Sequence, residues 1–147
     1  GMTPLQFAVP IGALESISGA FPYVILALIV ANLLTRHLAY KSYKRAAGEG
    51  ADTLDRYTPH MAISALAIAA SLLYLVIEPH SGMVISALVV GTFVADMFEF
   101  EARQVEARNN LEIERPKGAI TASVFALLYA AYIALFWVIK GPWEAII

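Results

Sequence analysis

Residues 118–139 read GAITASVFALLYAAYIALFWVI, a run with no formally charged side chain. A hydrocarbon core about 30 Å thick takes roughly 17 to 25 helical residues to cross, so this run is long enough to span it. Three further uncharged runs precede it, at residues 16–35, 57–77 and 79–95, and the charges are bunched between them. Of the 147 residues, 59% are apolar and 15% charged, whereas a soluble domain carries roughly 25% charged residues. The reading is an all-α integral membrane protein, a four-helix antiparallel bundle. Its spans are expected at about 16–36, 58–77, 80–98 and 118–139, in a single membrane domain covering 1–147.

The composition excludes several classes. A net charge of −2 with no concentrated basic face argues against nucleic acid as a partner. Without cysteine there is no disulfide, iron–sulfur cluster or thiol nucleophile. The stretch Met2-Thr3-Pro4-Leu5-Gln6 has no base ahead of an apolar run, so a cleavable signal peptide is not expected.

Along the chain, residues 2–15 contain the breakers Pro4, Pro10 and Gly12, are too short to span, and read as a lid or short interfacial helix. Pro22 is tolerated in the first turns of the first span, and Pro59 starts the second as an N1 residue. Between them, residues 46–58 form a polar loop. Glu78-Pro79-His80-Ser81-Gly82 is too short to cross a bundle, which makes the second and third spans antiparallel neighbours. Residues 96–108 have no Gly or Pro and many helix formers, so the third helix is expected to continue as a charged arm over about 96–109. At 1.5 Å per residue, a helix over 81–109 is about 43 Å long and projects well beyond a bilayer. Asn109-Asn110 stops it, Arg115-Pro116-Lys117-Gly118 is a second break, and Gly141-Pro142 is expected to end the fourth span.

Nine of the ten Lys and Arg residues lie between spans one and two or between spans three and four; only Lys140 lies elsewhere. The positive-inside rule then places both termini outside and both long loops in the cytoplasm of a multi-pass cell-membrane protein. Tyr23, Trp137 and Trp143 fall at the outer interface of that arrangement, and Tyr40, Tyr43 and Tyr57 at the inner one, as an aromatic belt requires.

The strings at residues 5–10 (LQFAVP), 98–108 (FEFEARQVEAR) and 112–120 (EIERPKGAI) resemble an uncharacterised family of small four-helix membrane proteins from halophilic archaea. That resemblance implies the fold and brings no activity, substrate or cofactor with it. A second similarity, of Asn109, Glu112 and Pro116 to the Asn-x-x-Glu…Pro signature of the membrane glutathione-transferase and eicosanoid family, does not hold. There the motif follows the first of four spans; here three spans precede it.

Three sets of residues are candidate sites. Small residues recur on the fourth span at Ala122, Ala126, Ala130 and Ala134, and on the third at Ala87, Gly91 and Ala95. In lipid, close approach over small residues holds helices together, so these stripes read as contacts inside the bundle, or else between subunits. His37, His60, Asp96 and Glu99 sit at the cytoplasmic ends of their spans and are competent zinc or iron ligands. No Glu-x-x-His or His-x-x-x-His pair accompanies them, so a metal site is a minor reading, a bis-histidine haem through His37 and His60 a lesser one, and no cofactor is predicted. Asp96, Glu99, Arg103 and Glu106 share one side of the arm and read as a solvated, ion-paired ridge. Phe98, Ala102 and Val105 on the opposite side form an apolar stripe that needs a partner: the loop at 46–58, a second copy, or another protein.

For transport, an ionisable group near the midplane is the usual requirement, and none is placed there. Asn32 is expected to hydrogen-bond Asp96. Small multidrug exporters also have four helices but rely on a membrane-embedded glutamate in the first; here Glu15 precedes the span. The reading is therefore a non-catalytic membrane subunit or assembly partner of a larger complex. A metal-dependent membrane enzyme or electron-transfer protein and a small oligomeric transporter stand as alternatives.

Overall fold

A computed structural model describes residues 18–146, with side chains from 19 to 136. The expected interfacial segment at 2–15, the side chains of Trp137, Lys140 and Trp143, and the first residues of span one lie outside the described residues. After a 3-10 turn at Ser18–Ala20, the described chain is all α: α1 (Phe21–Gly48), α2 (Thr58–Ile77), α3 (Pro79–Arg108) and α4 (Lys117–Ile146). All four are long and apolar enough to cross a membrane.

Proline positions the starts. Pro22, Pro59 and Pro79 each fall at the first or second helical position, where the missing N–H would have had no intrahelical partner anyway. Between α2 and α3 there is only Glu78, whose N–H donates to the Tyr74 carbonyl (2.8 Å) while its own carbonyl accepts from Gly82 N–H (2.7 Å). The reversal is tight enough that a Cβ on Gly82 would stand 2.3 Å from the Leu75 Cα, so glycine is required there. At the other end of α3, Asn110 takes a left-handed φ of 57°, a conformation asparagine tolerates, and the Leu111 N–H returns to the Glu106 carbonyl at 2.8 Å.

Each helix packs on its two chain neighbours, and α4 closes the ring on α1. The pairing is antiparallel: Phe21 stacks on Tyr74 at the end of the bundle holding the Glu78 turn, and Asn32 bonds Ser64 further along. We call the opposite end, which holds both long connections, the loop end. The core between the spans is built from Ile25, Ile29, Tyr74, Ile85, Ala126 and Ala130, with Ser71 and Ser123 also fully buried.

Two expectations about element ends are corrected. The helix α4 runs on through Gly141-Pro142 to Ile146; a proline removes one backbone hydrogen bond from a helix and can kink it without ending it. The charged arm is not a lone projection either. Because α1 also outruns its apolar run, as far as Gly48, the two helices extend together and enclose a second small core of Leu54, Phe100, Ala107 and Ile113 packed on Tyr40, Tyr43, Ala46 and Ala47. Leu54, the one apolar side chain at its point in the loop, is held by Gln104, whose carboxamide accepts from the Leu54 N–H (2.7 Å) and donates to its carbonyl (2.6 Å).

Candidate functional site

All four helices meet in one polar cluster. The stripe Ile25, Ile29, Asn32, Arg36 runs down the buried side of α1 at spacings of 4, 3 and 4, so the guanidinium is carried into the bundle with only 2% of Arg36 exposed. It meets Asp96 of α3 side-on: Nε donates to Oδ1 at 2.7 Å and Nη2 to Oδ2 at 2.8 Å. The remaining donors are used as well, Nη1 on Ser123 Oγ of α4 (2.6 Å) and Nη2 on Asn32 Oδ1. Asn32 in turn donates to Ser64 Oγ of α2 at 2.9 Å. A bidentate guanidinium–carboxylate pair is the arrangement arginine supports and lysine does not. Taking two charges out of water is tolerable here because nearly every donor has an acceptor.

His60 of α2 completes the cluster, with Nε2 3.1 Å from Asp96 Oδ2 and Nδ1 2.8 Å from Thr35 Oγ1. Thr35 also donates to the Asn32 carbonyl at 3.1 Å. With one imidazole proton, on Nε2 toward the carboxylate, the single Thr35 proton must serve either Nδ1 or the carbonyl. With two imidazole protons, all of these bonds are made at once. Ser64 and Ser123 act as acceptors and neither is bonded to a base; the one hydroxyl against the imidazole is that of Thr35.

Between this cluster and the loops lies a cavity of about 180 Å³, floored by Arg36, His60 and Asp96 and walled by Tyr40, Tyr43 and Phe100. The Arg56 guanidinium lies 4.4 Å from the Phe100 ring centroid at its edge. A second cluster closes the outer side. Arg103, 5% exposed, donates to Glu106 (2.8 Å), Glu99 (3.3 Å) and the Glu114 carbonyl (2.7 Å). Glu106 accepts the Glu114 N–H (3.2 Å), and Glu99 accepts the Gly118 N–H (3.0 Å) at the start of α4, where a carboxylate is favoured. These bonds clamp the 109–117 connection to α3.

The expected sites are placed as follows. Of the proposed metal ligands, His60 and Asp96 meet, Glu99 is engaged by Arg103 and Gly118, and His37 lies on the exposed side of α1 against Tyr40. Among the described residues no group of three such side chains could hold a metal ion. The four do not form one site because His37 is a single residue beyond Arg36, and that step of about 100° takes it off the buried stripe. Nor does Asn32 bond Asp96; the guanidinium stands between them.

On α4, Ala126, Ala130 and Ala134 are buried and Ala122 half-buried, whereas on α3 Ala87 and Gly91 face outward and Ala95 is half-buried. The internal face of α3 is instead Gly82, Ile85, Ser86, Val89 and Thr92. Asp96, Glu99, Arg103 and Glu106 are not a solvated ridge: Arg103 and Glu106 are buried, because Phe100 and Ala107 on the same side draw it onto α1. Phe98 (73% exposed) and Val105 (44%) point away, with Ala102 half-buried, and the 46–58 loop seats on the other side through Leu54. Sequence reasoning missed Arg36 by counting it as a loop charge; its signal was the 4–3–4 spacing behind Ile25, Ile29 and Asn32.

These features define an all-α protein of four membrane-length helices tied together by a buried ion-pair network. The chain belongs to the family described as a domain of unknown function (DUF7313), whose model matches residues 3–147. Comparisons with curated proteins and with solved structures gave no match.

Proposed function

We propose that this protein is a non-catalytic, multi-pass subunit that assembles within a larger membrane complex through the outward face of α3. The observation that carries the reading is the continuity of that face. Counting 100° per residue, Ala87, Gly91, Ala95, Phe98, Ala102 and Val105 fall within about 80° of one another. The stripe thus passes without a break from small residues in the apolar run to a bare phenyl ring beyond it. A Cβ on Gly91 would meet nothing within 4 Å, so its smallness serves no contact inside the bundle. Small residues allow a second helix to approach closely in lipid, and Phe98 gives that approach an apolar anchor.

In this reading the chain lies in the cell membrane with both termini outside and both long loops in the cytoplasm, following the positive-inside bias. The strings at 98–108 and 112–120 support an origin among halophilic archaea. Photocrosslinking from Val105 in native membranes, with mass spectrometry of the products, is the test. A single recurrent partner, or a second copy, is expected, and Phe98→Ser with Val105→Ser should reduce the size of the complex on native gels. Intrachain products alone, with unchanged size, would refute the proposal. External protease should cleave a tag at either terminus in intact cells, and a protected C-terminal tag would refute the orientation.

The cavity over Arg36, His60 and Asp96 favours a second reading, a small oligomeric transporter or binder of a small molecule, because ionisable groups inside a span are usually functional. Retained counterflow or ligand binding in Asp96→Asn would remove it.

A further inference from the structure

A groove of about 160 Å³ separates α1 from the beginning of α4 on the outer surface of the loop end. Its character changes along its length. Toward the spans it is lined by Leu33 and Ile120, and toward the loops by His37, Tyr40 and Arg115. The α1 side is one helical stripe, Leu33, His37, Tyr40 and Lys44 at spacings of 4, 3 and 4, which passes from apolar to basic over about 17 Å at 1.5 Å per residue.

Two cations lie near the ring of Tyr40, Arg115 in the lining of the groove and Lys44 one turn further along α1. The Arg115 guanidinium lies 5.7 Å and the Lys44 ammonium 5.9 Å from the centroid of the same Tyr40 ring. Among the described residues neither is in an ion pair; the five pairs are made by Arg36, His60 and Arg103. Like charges held at one ring without a carboxylate create a local positive potential that an anion relieves. A soluble anion would use only that end. Leu33 is half-buried and Ile120 37% exposed, and both line the groove, with Pro116 beside them and the already paired Arg36 beneath, so its spanward end offers apolar contact.

We infer that this groove binds an anionic phospholipid of the loop-side leaflet, its phosphate against Arg115 and Lys44 and one acyl chain along Leu33 and Ile120. The inference rests on the membrane-inserted reading above. Basic pockets between helices at the membrane surface suit such headgroups.

The test uses the full chain in nanodiscs of phosphatidylcholine containing phosphatidylglycerol, released into native mass spectrometry. Wild type should retain phosphatidylglycerol in preference to phosphatidylcholine. Arg115→Glu with Lys44→Glu should lower that retention at least tenfold; both residues are exposed, and an unchanged melting temperature would verify the fold. Leu33→Ser with Ile120→Ser should lower it too, whereas substitution of Arg108, exposed at the end of α3 and outside the lining of the groove, should not. Equal retention of the two lipids, or no effect of the charge reversal, overturns the inference. So does displacement of the lipid by inorganic phosphate at millimolar concentration, which would mark a soluble-anion site. Alkaline carbonate extraction of native membranes separates the two failures. Release of the protein would remove the membrane reading and this inference with it, whereas retention without lipid preference would remove this inference alone.

Discussion

Replacing Asp96 with alanine strands a guanidinium that is 2% exposed. Arg36 loses both carboxylate bonds, at 2.7 and 2.8 Å, and keeps only the neutral acceptors Ser123 and Asn32, while His60 Nε2 loses its acceptor at 3.1 Å. Removing one partner of a buried pair costs roughly 3–5 kcal/mol, against at most about 1 kcal/mol for an exposed pair. For a chain of this size each kcal/mol lowers the melting temperature by about 2–4 °C, so a loss on the order of 10 °C is expected. Arg36→Met should cost a similar amount because it leaves the carboxylate buried and alone. The combination of Arg36→Met with Asp96→Ala removes both charges, leaving Asn32 and Ser123 short of a donor, and should fall at least about 2 kcal/mol short of the summed single losses. Thermal unfolding of the three variants in detergent micelles, followed by circular dichroism and a reversible denaturant titration, closes the cycle. If Asp96→Ala cost under about 1 kcal/mol, or if the singles simply added, the pair would be no more than an incidental contact and the reasoning would fail.

Three further outcomes follow from the packing. Gly82→Ala should destabilise by about 1–3 kcal/mol or more, since the new methyl would meet the Leu75 backbone, whereas Gly91→Ala meets nothing and should gain up to about 1 kcal/mol of helix propensity; the reverse order of melting temperatures would contradict the assigned faces. Ala130, 1% exposed, has no room for leucine, so Ala130→Leu is expected to cost about 1–3 kcal/mol. Unchanged melting and micelle-bound size with Ala126→Leu added would mean that the stripe is not packed. Gln104→Ala frees both backbone groups of Leu54, so hydrogen exchange at the Leu54 amide should accelerate roughly tenfold while amides in the middle of α3 hold their rates; protection equal to wild type would show that Leu54 is fixed by its side-chain packing alone.

The number of helices, their approximate bounds and the α2–α3 reversal can be read from the sequence because those features are local. Apolar run length sets where a helix can span, and Pro22, Pro59, Pro79 and Arg115-Pro116 act on the backbone within a turn of themselves. The helical state of residues 96–108 was legible for the same reason. Which side of each helix faces inward was not. A soluble helix announces its buried side by contrast with a polar one, but here Leu34, Leu66, Met83 and Leu128, all outward, are as apolar as the core they leave. Small residues therefore misled on α3, where Ala87 and Gly91 turn out and Gly82 makes the close contact. They did not separate α3 from α4, whose Ala126 and Ala130 turn in. The charges were ambiguous in the same way. Arg36 and His37 are adjacent in the chain, yet one ends buried on Asp96 and the other exposed, because pairing with α3 and α4 decides what a helix end touches. The ion-pair cluster, the cavity above it and the inward turn of Arg103 exist only once four helices are set in register, since every bond that makes them except the local ones to Asn32, Glu99 and Glu106 joins residues on different elements.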